Sequence, residues 1–307
     1  MKETLNTVFT SMRAYNGKIF KLEKHLQRLR ENLRAVSSVK CLRRSPHDSS
    51  SDAYDTDSYE TSEESIGQVS SKYKSQLTTL NSQPIKVIED LEEKIKKELK
   101  KSKLKNARIR VSTDGKIINI VVNPLPSYPK KFYTDGVKLI TVPTARNIPS
   151  AIDGKIKSGN LLPNIMAKIE SCSAFEAVML NKDGYVVECT VSNIFVVQKQ
   201  SIVDSRQSTA TKKLHPKLWT LKTPPLYMGV LEGITRNTVI EIAQNLGITV
   251  EEKPFTKYNL YSVDECFLTN TSMEIIPVTQ IDARIIGDGK PGRLTKTLKK
   301  EFSKLTR

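Results

Sequence analysis

The sequence predicts an α+β protein in two unequal parts: a small lobe over residues 1–125, a linker over 126–133 and a larger barrel-like domain over 134–307. Three observations predict it. A hairpin signal, a helix with one apolar stripe and a pair of strands fill the first third of the chain. The segment Asn123-Pro-Leu-Pro-Ser-Tyr-Pro129 then carries three prolines in seven residues, which neither a helix interior nor a central strand tolerates. Beyond it, short strands outnumber helices.

The elements follow in order. Residues 8–13 read as a strand, and Asn16-Gly17 is a strong hairpin signal because both residues accept positive φ. Leu22, Leu26, Leu29, Leu33 and Val36 recur at helical spacing, which leaves His25 and Arg28 on the flanks of the stripe. Residues 37–74 turn polar, rich in Asp, Glu and Ser, the composition of a disordered insertion. A helix over about 85–100 leads to strands at 107–111 and 116–122, joined through Asp114-Gly115. In the second part, 137–142 is a strand, 160–173 a helix, and 177–180 turns through Asp183-Gly184 into 185–189, with 194–197 next. Residues 234–246 form a helix with Val239, Ile242, Ala243 and Leu246 on its apolar face and Gly247 at its cap. Between 198 and 222 lies a second polar, basic insertion that contains Trp219, with no function assigned to it.

Composition excludes several classes. The chain has no apolar leader, and its longest apolar stretch, 117–122, is far too short to span a bilayer, so a soluble cytoplasmic protein is expected. Cys41, Cys172, Cys189 and Cys266 form no paired motif, and with three histidines they offer no zinc set; reduced, buried thiols are expected and no metal. The net charge of +16 raises the question of nucleic acid. Its densest stretch, between Lys94 and Arg110, places lysines beside Glu92, Glu93 and Glu98 on a helical pattern, as a solvated helix face does. No aromatic residues interleave with them, so no stacking platform for single strands is built there.

The chemistry concentrates in a few segments. Lys157-Ser-Gly-Asn-Leu-Leu-Pro-Asn-Ile-Met-Ala-Lys-Ile-Glu170 sets a lysine at the entrance to a helix, and Val187-Glu-Cys-Thr-Val-Ser-Asn-Ile-Phe195 follows it. Leu231-Glu-Gly-Ile-Thr-Arg236, the stretch from Glu265 to Val278 and Ile286-Gly-Asp-Gly-Lys-Pro-Gly292 come next in order, while the first lobe offers 12–29 with His25-Leu-Gln-Arg28. Together these segments resemble the class IV family of pyridoxal-phosphate-dependent aminotransferases, nearest to the branched-chain amino acid enzymes. The resemblance implies a two-domain fold type IV protein, with a small α+β lobe, a larger pseudobarrel domain and the cofactor in the cleft between them.

It also implies roles. Lys157 would carry pyridoxal 5′-phosphate and then move the substrate's α-proton, which requires a neutral amine. Glu188 would sit at the pyridine nitrogen and keep the ring cationic. Arg28 would bind the phosphate, joined by the backbone N–H groups of Ile234 and Thr235 at a helix start and by the Thr271 hydroxyl, with Ser272 against the substrate. The expected activity is ping-pong transamination of a branched-chain amino acid with 2-oxoglutarate by a homodimer. D-amino-acid aminotransferase, 4-amino-4-deoxychorismate lyase and a catalytically impaired cofactor-binding relative share the same machinery. Three departures stand out: the segment before Val8 is short where the family has further strands, Leu161 replaces a tyrosine common in branched-chain enzymes, and the turn 112–115 lacks the Arg and His of a D-amino-acid enzyme.

Overall fold

The computed structural model describes residues 7–42, 90–199 and 219–306. The two sequence insertions fall largely outside them. Among the described residues the strands form a four-stranded and a nine-stranded sheet.

The smaller sheet holds β1 (Val8–Tyr15), β2 (Lys18–Ile19), β3 (Ala107–Thr113) and β4 (Ile118–Pro124) in the antiparallel order β2-β1-β3-β4. Asn16 and Gly17 turn the first hairpin with φ of 50° and 81°. Along β1 and β3 the side chains alternate between faces, as a pleated strand requires. Val8, Met12, Ala14, Ala107, Ile109 and Val111 point into a core shared with α1 (Leu22–Leu42) and α2 (Leu91–Ser102). Leu91, Ile95 and Leu99 are the buried stripe of α2, each contributing about 1.5–3 kcal/mol of burial. β4 runs to Pro124, past its expected end, because it is an edge strand and its outer side needs no ladder N–H.

The larger sheet has the order β10-β9-β8-β11-β12-β5-β6-β7, with β13 (Arg284–Ile285) on β12. Its strands are β5 (Val137–Thr141), β6 (Glu176–Leu180), β7 (Val186–Cys189), β8 (Asn193–Lys199), β9 (Trp219–Thr223), β10 (Thr249–Glu252), β11 (Glu265–Asn270) and β12 (Glu274–Ile281). The helices of this part are α3 (Lys131–Thr134), α4 (Leu162–Glu170), α5 (Ile234–Asn245), α6 (Lys257–Tyr261) and α7 (Arg293–Leu305). β8 shows how both sheet faces are used: Ile194 and Val196 enter one core cluster, and Phe195 and Val197 enter another with α5 and α7. Phe195 and Phe267, paired across β8 and β11, stack with centroids 5.0 Å apart.

Several expectations change. Trp219 is not part of a loop insertion, because β9 starts there and pairs with β8 and β10, burying Leu221. β10 and β13 have weak local signals and form where tertiary pairing supplies the energy, while α6, opened by a Thr256–Asn259 capping box, and α7, with its apolar face at Leu294, Leu298 and Phe302, add to the expected helices. His25 and Arg28 are buried rather than flanking, since the side of α1 away from its own core faces the larger part. Cys189 and Cys266 are buried and free, whereas Cys172 is exposed. Among the described residues no helix is long and apolar enough to cross a membrane.

Candidate active site

A cavity of about 620 Å³ lies between the two sheets. It is lined by Lys157, Glu188, Arg28, Ile234, Thr235, Thr271 and Ser272, so one crevice gathers residues from well-separated segments of sequence.

Lys157 stands in the loop ahead of α4, and the first lobe straps that loop down. The Phe9 N–H donates to the Lys157 carbonyl at 2.9 Å, the Gly159 N–H donates to the Thr7 carbonyl at 2.7 Å, and Val8 bridges Ser158. With the buried Asn32 amide turned to satisfy both its ends, its oxygen accepts the Lys157 N–H at 3.0 Å. The Lys157 Nζ lies 4.8 Å from the centre of the Phe9 ring. Burial and then the guanidinium of Arg28 pull the amine down to a pKa of about 7, with Arg110 and Arg146 adding to the effect and Glu188 opposing it.

Glu188, on β7, is buried and held on both oxygens. Oε1 pairs with Arg146 at 2.6 Å, while Oε2 accepts from Asn193 Nδ2 and from the Leu231 N–H, each at 3.0 Å. Burial raises its pKa, and Arg146 is the strongest of the groups that oppose this. Arg146 has no role in the resemblance drawn from sequence. It sits in an irregular stretch with no periodic signal, and the return of β7 beside it supplies its carboxylate partner. Asn164 Oδ1 accepts from Arg146 Nη1 at 2.9 Å and fixes the guanidinium from its other end.

Arg28 donates from Nη1 to the Glu232 carbonyl at 2.8 Å and from Nη2 to Thr10 Oγ1 at 3.1 Å. Thr10 Oγ1 also lies 2.8 Å from His25 Nδ1, so one hydroxyl joins the guanidinium to the ring. Burial, then Arg28, hold His25 neutral by lowering its pKa to about 3. Arg28 Nε is buried and has no acceptor, and Thr269 Oγ1 on the cavity wall is likewise unpartnered. A buried guanidinium N–H without an acceptor is costly unless a ligand supplies one.

The start of α5 has the same unfilled character. Gly233 precedes it without a side-chain cap, and a Cβ there would lie 2.1 Å from Asn193 Oδ1. The N–H groups of Ile234 and Thr235 donate to no acceptor among the described residues. Donors of this kind, with a helix dipole behind them and a guanidinium beside them, suit a phosphate dianion. Across the cavity Asn270 Oδ1 accepts from the Ser272 and Met273 N–H groups at 3.0 and 2.8 Å and shapes the loop bearing Thr271. Arg13 Nη1 reaches the Ser272 carbonyl at 2.8 Å and ties that loop to the first lobe.

Comparison with known proteins adds a family. The family model for amino-transferase class IV matches residues 74–281, more than half of the chain. The chain belongs to the class IV aminotransferases. A D-alanine aminotransferase of Bacillus licheniformis is 38% identical over 172 residues, covering 55% of this chain and 52% of that protein. The branched-chain-amino-acid aminotransferase-like protein 1 of Arabidopsis thaliana is 30% identical, covering 98% of this chain and 46% of that one. The chain thus spans about half the length of these curated relatives. Among solved structures, the branched-chain amino acid aminotransferase from Escherichia coli superimposes with a TM-score of 0.70 at 23% identity, covering 99% of this chain and 86% of that one. This class IV aminotransferase therefore has the fold type IV architecture, a small α+β lobe beside a larger curled sheet.

Proposed function

We propose that this class IV aminotransferase uses pyridoxal 5′-phosphate to move an amino group from an amino acid, of the branched-chain class, to 2-oxoglutarate in two ping-pong half-reactions. One observation carries the reading: a single cavity joins an amine held near neutrality, a buried carboxylate locked on both oxygens, and a guanidinium and helix start with donors to spare. Bound there, the cofactor supplies the aldehyde that takes up the amino group and the ring that receives the electron pair left by the α-proton.

Each side chain then has a task. Lys157 would hold the cofactor, and its Nζ, uncharged at neutral pH, would take the proton from the substrate's α-carbon. Glu188 would hold a proton at the pyridine nitrogen, with Arg146 and Asn193 keeping the carboxylate ionised and aimed. Arg28, Ile234, Thr235 and Thr271 would take the phosphate, and Ser272 would face the substrate. Leu162, Ile165, Met166 and Ile169 leave an exposed apolar stripe on α4, joined by Val191 and Ile148. Ile165 and Val191 also line the cavity, which supports a homodimer whose second copy covers this rim. The similarity to a D-alanine enzyme supports a second reading, transamination of D-amino acids.

Borohydride reduction of the protein loaded with pyridoxal phosphate, followed by mass spectrometry, tests the assignment. The label is expected on Lys157, and a label elsewhere, or none, removes it. Lys157→Ala should abolish turnover, whereas Glu188→Gln should retain the cofactor and slow proton transfer. A donor panel including leucine, isoleucine and D-alanine separates the two substrate readings.

A further inference from the structure

Glu176 is a carboxylate on the cavity wall that the reaction above leaves unused. It opens β6 and is only 2% exposed, yet among the described residues no cation forms an ion pair with it. Lys168 acts on it from a distance, since its Nζ donates to the Phe175 carbonyl at 2.7 Å. All of its hydrogen-bond partners are neutral, and they come from three successive residues: Thr190 Oγ1 at 3.3 Å, the Val191 N–H at 3.1 Å and Ser192 Oγ at 2.6 Å. Taking a carboxylate out of water without a counter-ion is costly and pushes its pKa up, and these three bonds offset the cost.

What the bonds hold is the turn between β7 and β8. The Cys189 N–H donates to the Ser192 carbonyl at 2.8 Å and closes the turn. Glu188 lies directly before it and Asn193 directly after, and Asn193 Nδ2 donates to Glu188 at 3.0 Å. The turn also reaches Arg146: Asn164 Nδ2 donates to the Thr190 carbonyl at 2.7 Å, while Asn164 Oδ1 accepts from Arg146, the ion-pair partner of Glu188. A second path leaves through Ser192. Asn270 Nδ2 donates to Ser192 Oγ at 2.9 Å, and Asn270 Oδ1 takes the Ser272 and Met273 N–H groups that shape the 271–273 loop. Glu176 thus stands where two paths meet, one to the carboxylate assigned to the pyridine nitrogen and one to the loop assigned to phosphate and substrate.

Resting on the transamination reading, we propose that Glu176 is a positioning residue, which by fixing the turn 190–192 aims Glu188 and, through Ser192 and Asn270, the 271–273 loop. It acts through these partners and takes no proton in the reaction. The two paths bear on different constants. Glu188 serves the charge that appears only as the α-proton leaves, so loss of its aim lowers kcat; the loop meets the substrate before reaction, so loss of its shape raises KM.

The experiment measures kcat and KM of the holoenzyme for its best donor from the panel above, the absorbance of the bound cofactor against pH, and the urea midpoint of the apoprotein. It does so in the wild type, Glu176→Gln, Ser192→Ala and the double variant. Glu176→Gln turns an amide N–H toward donors that need an acceptor, and should lower kcat about 10–100-fold through misplacement of Glu188. It should also raise KM about 10-fold, the value of one lost buried bond, and move the absorbance midpoint upward, since a pyridine nitrogen less firmly protonated withdraws less charge. Ser192→Ala cuts the path to the loop alone: KM should rise about 10-fold, with kcat within a factor of about three and the absorbance midpoint in place. In the double variant KM should rise no further than in Glu176→Gln, because both changes act through one chain of contacts. A Glu176→Gln enzyme labelled at Lys157 with wild-type kcat, KM and absorbance, whatever its urea midpoint, overturns the positioning role, and so does a double variant whose KM effects multiply. If Glu176→Gln does not fold, Ser192→Ala decides: a wild-type KM overturns the role, and a raised KM at unchanged absorbance supports it. These failures leave the transamination reading standing, whereas a wild-type protein that takes no label at Lys157 and transfers no amino group overturns that reading and the positioning role with it.

Discussion

Two helices against the larger sheet start alike and are finished differently. α5 begins after Gly233 and α7 after Gly292, and at both places a Cβ would collide with a polar side chain, Asn193 Oδ1 at 2.1 Å and Glu265 Cδ at 1.9 Å. At α7 the colliding group is also the cap. Glu265 accepts from the Leu294 and Thr295 N–H groups, each at 2.8 Å, and from Thr295 Oγ1 at 2.7 Å, so the protein supplies its own anion. At α5 no carboxylate arrives. Asn193 is turned toward Glu188 and the Leu231 carbonyl, and the Ile234 and Thr235 amides open onto the cavity beside Arg28. The dipole of a helix start has to meet negative charge somewhere. One start has it built into the fold and the other leaves the place for a ligand, which separates a structural carboxylate from a binding site by geometry alone.

The comparison can be broken in four ways. Glu265→Ala removes an internal anion and three bonds, and should cost about 3 kcal/mol in urea unfolding of the apoprotein while leaving pyridoxal phosphate affinity as it was. Gly233→Ala and Gly292→Ala should each cost about 2 kcal/mol through overpacking. Only the first should also weaken the cofactor, and an equal loss of affinity in both would end the distinction. Arg28→Gln should reduce affinity for pyridoxal phosphate about 10-fold, yet leave affinity for unphosphorylated pyridoxal, read by absorbance, within a factor of about two. The smallest effect concerns pH. Since burial and neighbouring cations depress Lys157 to about 7, its reactive neutral form appears as pH rises through that value. Cofactor capture by the apoprotein should therefore climb through pH ~7 and level off by about pH 8, whereas an ordinary lysine would keep gaining up to about 10.

Periodicity made much of the fold legible. The stripe of Leu22, Leu26, Leu29 and Leu33, the Asn16-Gly17 turn and the face of α5 are local signals, written within a dozen residues of one another, and each is found as expected. What stayed illegible depends on distant partners. α7 has buried Leu294, Leu298 and Phe302, but its start is set by Glu265, about thirty residues earlier. In β3, Ala107, Ile109 and Val111 alternate with Arg108 and Arg110, so the period of two made the strand legible, but only the packing of the two parts puts the arginine side on the cavity.

The sequence by itself determined which chemical groups are available: an amine at Lys157, a carboxylate at Glu188, a guanidinium at Arg28 and a helix start after Gly233. Those are properties of single residues and short motifs, and they survive without knowing the fold. Only the tertiary structure decided what state each group is in. Lys157 is made more acidic first by burial and then by Arg28, Arg110 and Arg146, carried in from α1, β3 and an irregular loop, while burial pushes the Glu188 carboxyl up and Arg146 opposes it. Electrostatic energy depends on distance and on exclusion of water, and neither is a function of separation along the chain.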